Sequence, residues 1–449
     1  MKKISRRLFI GSASIMGTGM VLKPSSIWAV NRNVDVKPAL LGGEKTVTKP
    51  FPRWPFVDTT EEKALLDALH GNGWGRRVKN NAADTFETSY ANLLGANHCL
   101  TVNSGTSALF TMMGALNIGP GDEVILPVYT FIATYNVVAL HNALPIIVDI
   151  DPESFQIDPK KMEAAITKET KALVPVHIGG SPFDVERVLE IGNRHNLPVI
   201  EDACQAHLAE WKGKKVGTFG IGGAFSFQES KNLNCGQGGA ITTNNRQFMD
   251  ACMGYHHQGA VLSDNPYAEG GVRGGNWRMT EFQASILNAQ MTRLEQQAKK
   301  RSENAAYLSK MLQEIPGIAP AKLYPGTTNS AYHLYMFRYD NKYFDGMSRA
   351  RFIEALSAEG VPCSGGYGQM EKTARVPSLA KNRHYIKVYG EKGMKEWLER
   401  IQCPVNEKVS SEIAVWFTQT ILLGSKTDME QIAEAIRKIQ KFARDIKNA

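Results

Sequence analysis

Lys231 stands within "FSFQESKNLNCGQGG", residues 225–239, behind an apolar beat and ahead of three glycines in four positions. A surface lysine needs no such surroundings, whereas a lysine that reaches a buried ligand does. Its amine can form an imine with an aldehyde. Three other stretches carry groups that suit the same kind of ligand. Asp202 directly ends the apolar run "LPVIED". A carboxylate there must be paired or partly solvated, and a protonated ring nitrogen would pair it; a helix-capping role would need no ligand. Gln205, three residues on, can face the same molecule. Ser226 can donate to a phosphate, and the nearby glycines allow close backbone packing. In "NSGTSAL", Gly105 lets the backbone approach closely and Thr106 opens a helix whose free amides and hydroxyl can hold a phosphate. Taken alone, that turn reads equally well as a helix cap. The ordered set of phosphate turn, acid, serine and lysine outweighs the reading of Lys231 as an ordinary turn lysine.

The elements that position these residues follow an α/β alternation. "HCLTVN", "DEVILPV", "LPIIVDI", "KALVPVH" and "LPVIED" read as short, β-branched strands of a mostly parallel sheet covered on both faces. "FGIGGAFSF" and "GGAITT" add two strands around Lys231. Helices are expected at "TEEKALLDALHGN", with Thr60 as cap, from about Thr106 to Leu116, and at "TFIATYNVVALHNA". One long helix is expected over "MTEFQASILNAQMTRLEQQAKKRSENAAYLSKML". Beyond it, "AYHLYMFRYD" reads as a strand, and "MSRARFIEALSAEG" and "DMEQIAEAIRKIQKFARDI" as helices. In open α/β sheets ligands collect at the carboxyl ends of the strands, where the candidate residues fall. With 449 residues, two unequal domains are expected: a large one over residues 30–300 and a smaller α+β one over residues 301–449.

Residues 1–29 read as an export signal, with a basic start, a weakly apolar, glycine-rich stretch, and Ala29 as a cleavage point. The run Ser5-Arg6-Arg7-Leu8-Phe9 resembles a twin-arginine signal, which moves proteins already folded. The expected destination is periplasmic or secreted, or the cytoplasm if the signal is not used. The formal charge of +8 falls to +3 without Lys2, Lys3, Arg6, Arg7 and Lys23, too little to argue for nucleic acid. No other segment reads as membrane-spanning. The six cysteines form no CxxC pair and are expected to be buried free thiols. No ligand cluster supports a metal site.

The stretches "VNSGTSAL", "GDEVILPVYTFIAT", "VDIDPESFQIDP", "VPVHIGG", "IEDACQAH", "AFSFQESKNLNCGQGGAITT" and "GGNWRMTEFQASILNAQMTRL" together resemble the DegT/DnrJ/EryC1/StrS family of pyridoxal-phosphate-dependent sugar aminotransferases, over residues 38–445. "FSFQ" and "YHLYMFR" resemble the branch that makes aminated cyclitols and 3-amino-5-hydroxybenzoate.

The resemblance implies a fold-type-I enzyme that binds pyridoxal 5'-phosphate (PLP). It implies Lys231 as the Schiff-base lysine and proton carrier, Asp202 as partner of the pyridine nitrogen, and Gln205 as neighbour of the ring hydroxyl. Phe131 would stack on the ring, and Gly105, Thr106 and Ser226 would contact the phosphate. Asn276, in "GGNWRM", would be supplied by the second subunit of a homodimer with shared sites. The implied reaction moves an amino group from Glu or Gln to a keto-sugar or keto-cyclitol. Two rivals remain. A PLP-dependent sugar dehydratase is disfavoured by Lys231, since known versions carry histidine there. An exported protein that binds PLP or a sugar without turnover is disfavoured by Lys231 and Asp202. Two positions depart from the pattern: Gln237, where Glu is common, and Leu208, where Gly is frequent. Both are expected to bear on substrate fit. His256 and His257 are weaker candidates for substrate contact.

Overall fold

The computed structural model describes residues 36–71, 73–76, 81–259 and 273–449. The expected signal, residues 1–29, lies outside them.

The short apolar runs pair as a layer of seven strands. They are β1 (His98–Val102), β2 (Glu123–Pro127), β3 (Leu144–Val148), β4 (Thr170–Leu173), β5 (Ile200–Asp202), β6 (Gly222–Ser226) and β7 (Gly239–Thr243). β2 lies between β3 and β4, all three parallel, with Ile125 opposite Ile146 and Leu173. Parallel bridges Leu173–Val199 and Val176–Asp202 carry the layer on to β5. From there the order is β5, β6, β7, β1. Every residue of β2, β3, β5, β6 and β7 is buried, as strands covered on both faces require.

β7 is the exception to the parallel rule. It runs antiparallel to both neighbours, with Ser226 opposite Gly239 on one side and Val102 opposite Gly239 on the other. The chain therefore reverses between β6 and β7, and Lys231 sits in that reversal.

Helices α1 (Thr59–His70), α2 (Ala82–Leu94), α3 (Gly105–Ala115) and α4 (Ile132–Leu140) precede or cross between strands. Three boundaries differ from expectation. Asp58, not Thr60, caps α1, in a reciprocal capping box with Glu61. α3 begins one residue earlier than expected, because Ser104 caps it by accepting from the Ser107 amide. The long helix is two, Glu281–Met291 and Leu294–Gln313. At the break Arg293 leaves helical geometry (φ −117°, ψ 0°), and its guanidinium pairs with Glu61 and, at 2.9 Å, with Asp58.

A second, antiparallel sheet joins β8 (Ile318–Pro320), β9 (Leu334–Tyr339) and β10 (Ala414–Thr418), with β9 in the middle. The helices Arg349–Ala358 and Lys426–Lys441 contribute to its core, which includes Phe337, Phe352, Phe417, Ile432 and Ile436. Among the described residues no helix is long and apolar enough to cross a membrane.

Candidate active site

Seven of the eight candidate residues line one cavity of about 770 Å³: Gly105, Thr106, Phe131, Asp202, Gln205, Ser226 and Lys231. It opens where β5 and β6 end and where α3 and α4 begin, as an open α/β layer predicts. A wider hollow of about 970 Å³, beside Asn117, Lys168 and His195, contains none of them.

Asp202 closes β5 and is 5% exposed. Its Oδ2 accepts from the Thr134 hydroxyl at 2.8 Å and its Oδ1 from the Cys204 amide at 3.2 Å. Among the described residues no cation makes an ion pair with it, so a buried acid faces the cavity with only neutral donors. Gln205 is held at both ends of its amide. Its Oε1 accepts from the Gly179 N–H at 2.8 Å, and its Nε2 donates to the Tyr367 hydroxyl at 2.8 Å.

Ser226 is fixed from behind. Its carbonyl accepts from His207 Nε2 at 2.9 Å, while Tyr90 donates to His207 Nδ1 at 2.8 Å. That tautomer is neutral, and burial pushes the His207 pKa down to about 3. Gly105 is required by close approach. A Cβ there would meet Ser226 Cβ at 2.7 Å and Cys204 Sγ at 2.8 Å. Among the described residues the amides of Gly105 and Thr106, at the start of α3, have no acceptor.

The Lys231 amine lies 3.4 Å from Nε2 of His333. Burial pushes the lysine pKa down, opposed by Cys204 and Asp202. Phe131, at the N-cap of α4, is 56% exposed and presents an uncovered ring to the cavity.

Several lining residues were not foreseen: Trp54, His333, Tyr367, Trp416 and Gln419. Tyr367 is gripped edge-on by Tyr129 (centroids 5.4 Å) and Trp416 (4.8 Å). The aromatic in "GGYG" and the histidine in "YHLYMFR" were visible signals, but only folding brings them beside Lys231.

Asn276 lies outside this cavity; it is exposed and bridges to His257. His256 and His257 also lie outside. His256 ends its helix buried, and His257 Nδ1 accepts from Arg278 at 2.8 Å. Gln237 stands on the cavity rim, where substrate fit was expected to matter. Leu208 does not. It is 4% exposed, packs in an apolar cluster with Phe225 and Leu94, and holds φ +63°. The position favours glycine because of its backbone, not because of the substrate. All six cysteines are free; Cys235, Cys252 and Cys403 are buried and the other three half-buried.

The DegT/DnrJ/EryC1/StrS aminotransferase family profile matches residues 57–384. The chain belongs to this family. Two relatives bear the name L-glutamine:2-deoxy-scyllo-inosose aminotransferase. The protein from Streptoalloteichus tenebrarius is 33% identical over 89% of this chain and 97% of its own. That from Streptomyces kanamyceticus is 33% identical over 87% and 94%. Among solved structures, 3-amino-5-hydroxybenzoic acid synthase superposes with a TM-score of 0.76 at 29% identity, covering 89% of this chain and 99% of that one. An aminotransferase from Psychrobacter cryohalolentis gives 0.74 at 29%, covering 86% and 98%.

Members of the family are PLP-dependent aminotransferases, and the cavity suits that cofactor. The free amides of Gly105 and Thr106 match a phosphate, the cation-less Asp202 matches a protonated pyridine nitrogen, and the bare Phe131 ring matches a flat heterocycle.

Proposed function

We propose that this aminotransferase takes its amino group from L-glutamine or L-glutamate and delivers it to the ketone of a cyclitol or sugar. The observation that carries the reading is the placement of Lys231 and Asp202 in one cavity, one with a depressed pKa and the other without a cation. The names of the inosose relatives support glutamine and a cyclitol ketone. When bound, PLP supplies an aldehyde to condense with amines and a ring that accepts electrons from the carbon losing its proton.

This chain's residues do the rest. Lys231 would hold the aldehyde covalently, and its amine, when free, would serve as the proton carrier. Asp202 keeps the pyridine nitrogen protonated. Gly105, Thr106 and Ser226 would hold the phosphate, and Phe131 would cover one face of the ring. Gln205, locked by Gly179 and Tyr367, sets the ring's orientation. Asn276 completes the neighbouring site of a homodimer.

The test is borohydride reduction of the holoenzyme followed by peptide mapping. The pyridoxyl label is expected on Lys231 alone, and added L-glutamine is expected to protect against labelling. A label elsewhere overturns the reading.

We also propose that residues 1–29 direct export of the folded holoenzyme, as the twin-arginine run supports. Replacing Arg6 and Arg7 with lysine is expected to leave the protein in the cytoplasmic fraction; unchanged fractionation overturns the proposal.

A further inference from the structure

Behind one wall of the cavity lies a charge without a partner. Arg301, on the helix Leu294–Gln313, is 0% exposed. Its Nε donates to Gln419 Oε1 at 2.8 Å, and among the described residues neither terminal nitrogen has a hydrogen-bond partner. The guanidinium stands 5.3 Å from the centroid of the Trp54 ring. No carboxylate opposes it among the described residues, and burial pushes its pKa down to about 9. A cation taken from water without a counter-ion is costly, and in a low-dielectric interior its field reaches across the next layer of side chains.

That next layer is the cavity wall, because Trp54 and Gln419 both line it. With Oε1 fixed on Arg301, the Gln419 amide is oriented, and among the described residues its Nε2 makes no hydrogen bond. The hydroxyls of Thr418 and Thr420, 2.9 Å apart, flank it on the cavity side.

We propose that Gln419, backed by Arg301, is the subsite for the α-carboxylate of the amino donor. The inference rests on the amino-acid donor proposed above. Any such donor brings a carboxylate into the cavity. Among the described lining residues Lys231 is the sole lysine or arginine, and the aldehyde claims it. The amides opening α3 are claimed by the phosphate. The Gln419 wall is the remaining place where an unclaimed N–H meets positive potential. Gln419 touches the carboxylate. Arg301 acts through it and is a positioning residue.

The experiment compares two donors on the holoenzyme: L-glutamine, and 4-aminobutanamide, which is glutamine without its α-carboxylate. The readout is the ratio of kcat/KM for conversion of the cofactor from its aldehyde to its amine form. R301M and Q419E are the variants. Q419E keeps the side chain's size and gives Arg301 the counter-ion it lacks, so a merely structural role predicts no loss. The wild type is expected to favour glutamine, and each variant to reduce that preference by about tenfold or more, the scale of one lost charged hydrogen bond. An unchanged ratio in Q419E overturns the subsite, whether or not R301M folds. A wild type that takes an amino group from no amino acid overturns the subsite and the proposed function together.

Discussion

The Nζ of Lys231 lies 3.4 Å from Nε2 of His333, a ring that burial keeps uncharged. Burial, together with Lys231, His207 and Arg301, holds the His333 pKa well below the ordinary imidazole range. The ring accepts a hydrogen bond from the amine without adding charge beside it. Only the neutral amine attacks an aldehyde. Capture of PLP by apoenzyme is therefore expected to accelerate as pH rises, with a midpoint below the ordinary lysine value of about 10.4. Asp202 favours the ammonium form, so D202N is expected to move that midpoint lower still. Stopped-flow absorbance across a pH series measures both; a wild-type midpoint at or above the ordinary value would refute the account.

Gly105→Ala tests the contact between α3 and β6. The new Cβ falls 2.7 Å from Ser226 Cβ and 2.8 Å from Cys204 Sγ, so the phosphate turn must move. Overpacking of this kind costs about 1–3 kcal/mol of stability. The affinity for PLP is expected to fall by more than the apoprotein's stability does. Absorbance titration with PLP, set beside thermal unfolding of the apoprotein, separates the two.

Glu201, one residue before Asp202, is wholly buried and organises the turn that leads into β6. It accepts from the amides of Gly217 (2.7 Å), Phe219 (2.7 Å) and Gly220 (2.9 Å) and from His177 Nε2 (3.1 Å). Burial alone would raise its pKa, but these donors hold it below the ordinary carboxylate range. A carboxylate depressed on folding stabilises fully above its unfolded pKa of about 4.3, and that stability is lost as pH falls through the folded value. E201Q, with one acceptor in place of two, is expected to lose about 2–4 kcal/mol at pH 7. Urea unfolding is expected to show the gap between wild type and variant narrowing below about pH 4.

Leu208→Gly sets backbone against packing. Relief of the left-handed conformation at φ +63° is worth about 1–2 kcal/mol. Loss of a buried leucine costs about 2–5 kcal/mol, and glycine's extra freedom in the unfolded chain adds about 0.5–1. A net loss of about 0.5–5 kcal/mol is expected, with KM for the keto substrate unchanged. A stabilised variant, or an altered KM, would show that the packing account is wrong.

Legibility in the sequence followed distance along the chain. Asp202, Ser226 and Gly105 could be read because each sits where its own strand ends or its own helix begins, and Lys231 because its glycines adjoin it. Tyr367, His333, Trp54 and Gln419 reach the same cavity from positions 102 to 188 residues away from Lys231, and no local pattern announces that meeting. Arg301 lies in "KKRSEN", which reads as a solvated helix face, yet it is fully buried. The break at Arg293 was hidden because the helical period continues across it; the ion pairs with Asp58 and Glu61 come from a distant helix.

The cavity draws its lining from Trp54 near one end of the chain to Thr420 near the other. The lining of the cavity is therefore complete for the vitamin-derived ligand only when synthesis is almost finished. Any reinforcement that the fully walled site lends by binding its ligand reaches the polypeptide late, once both sheets are in place.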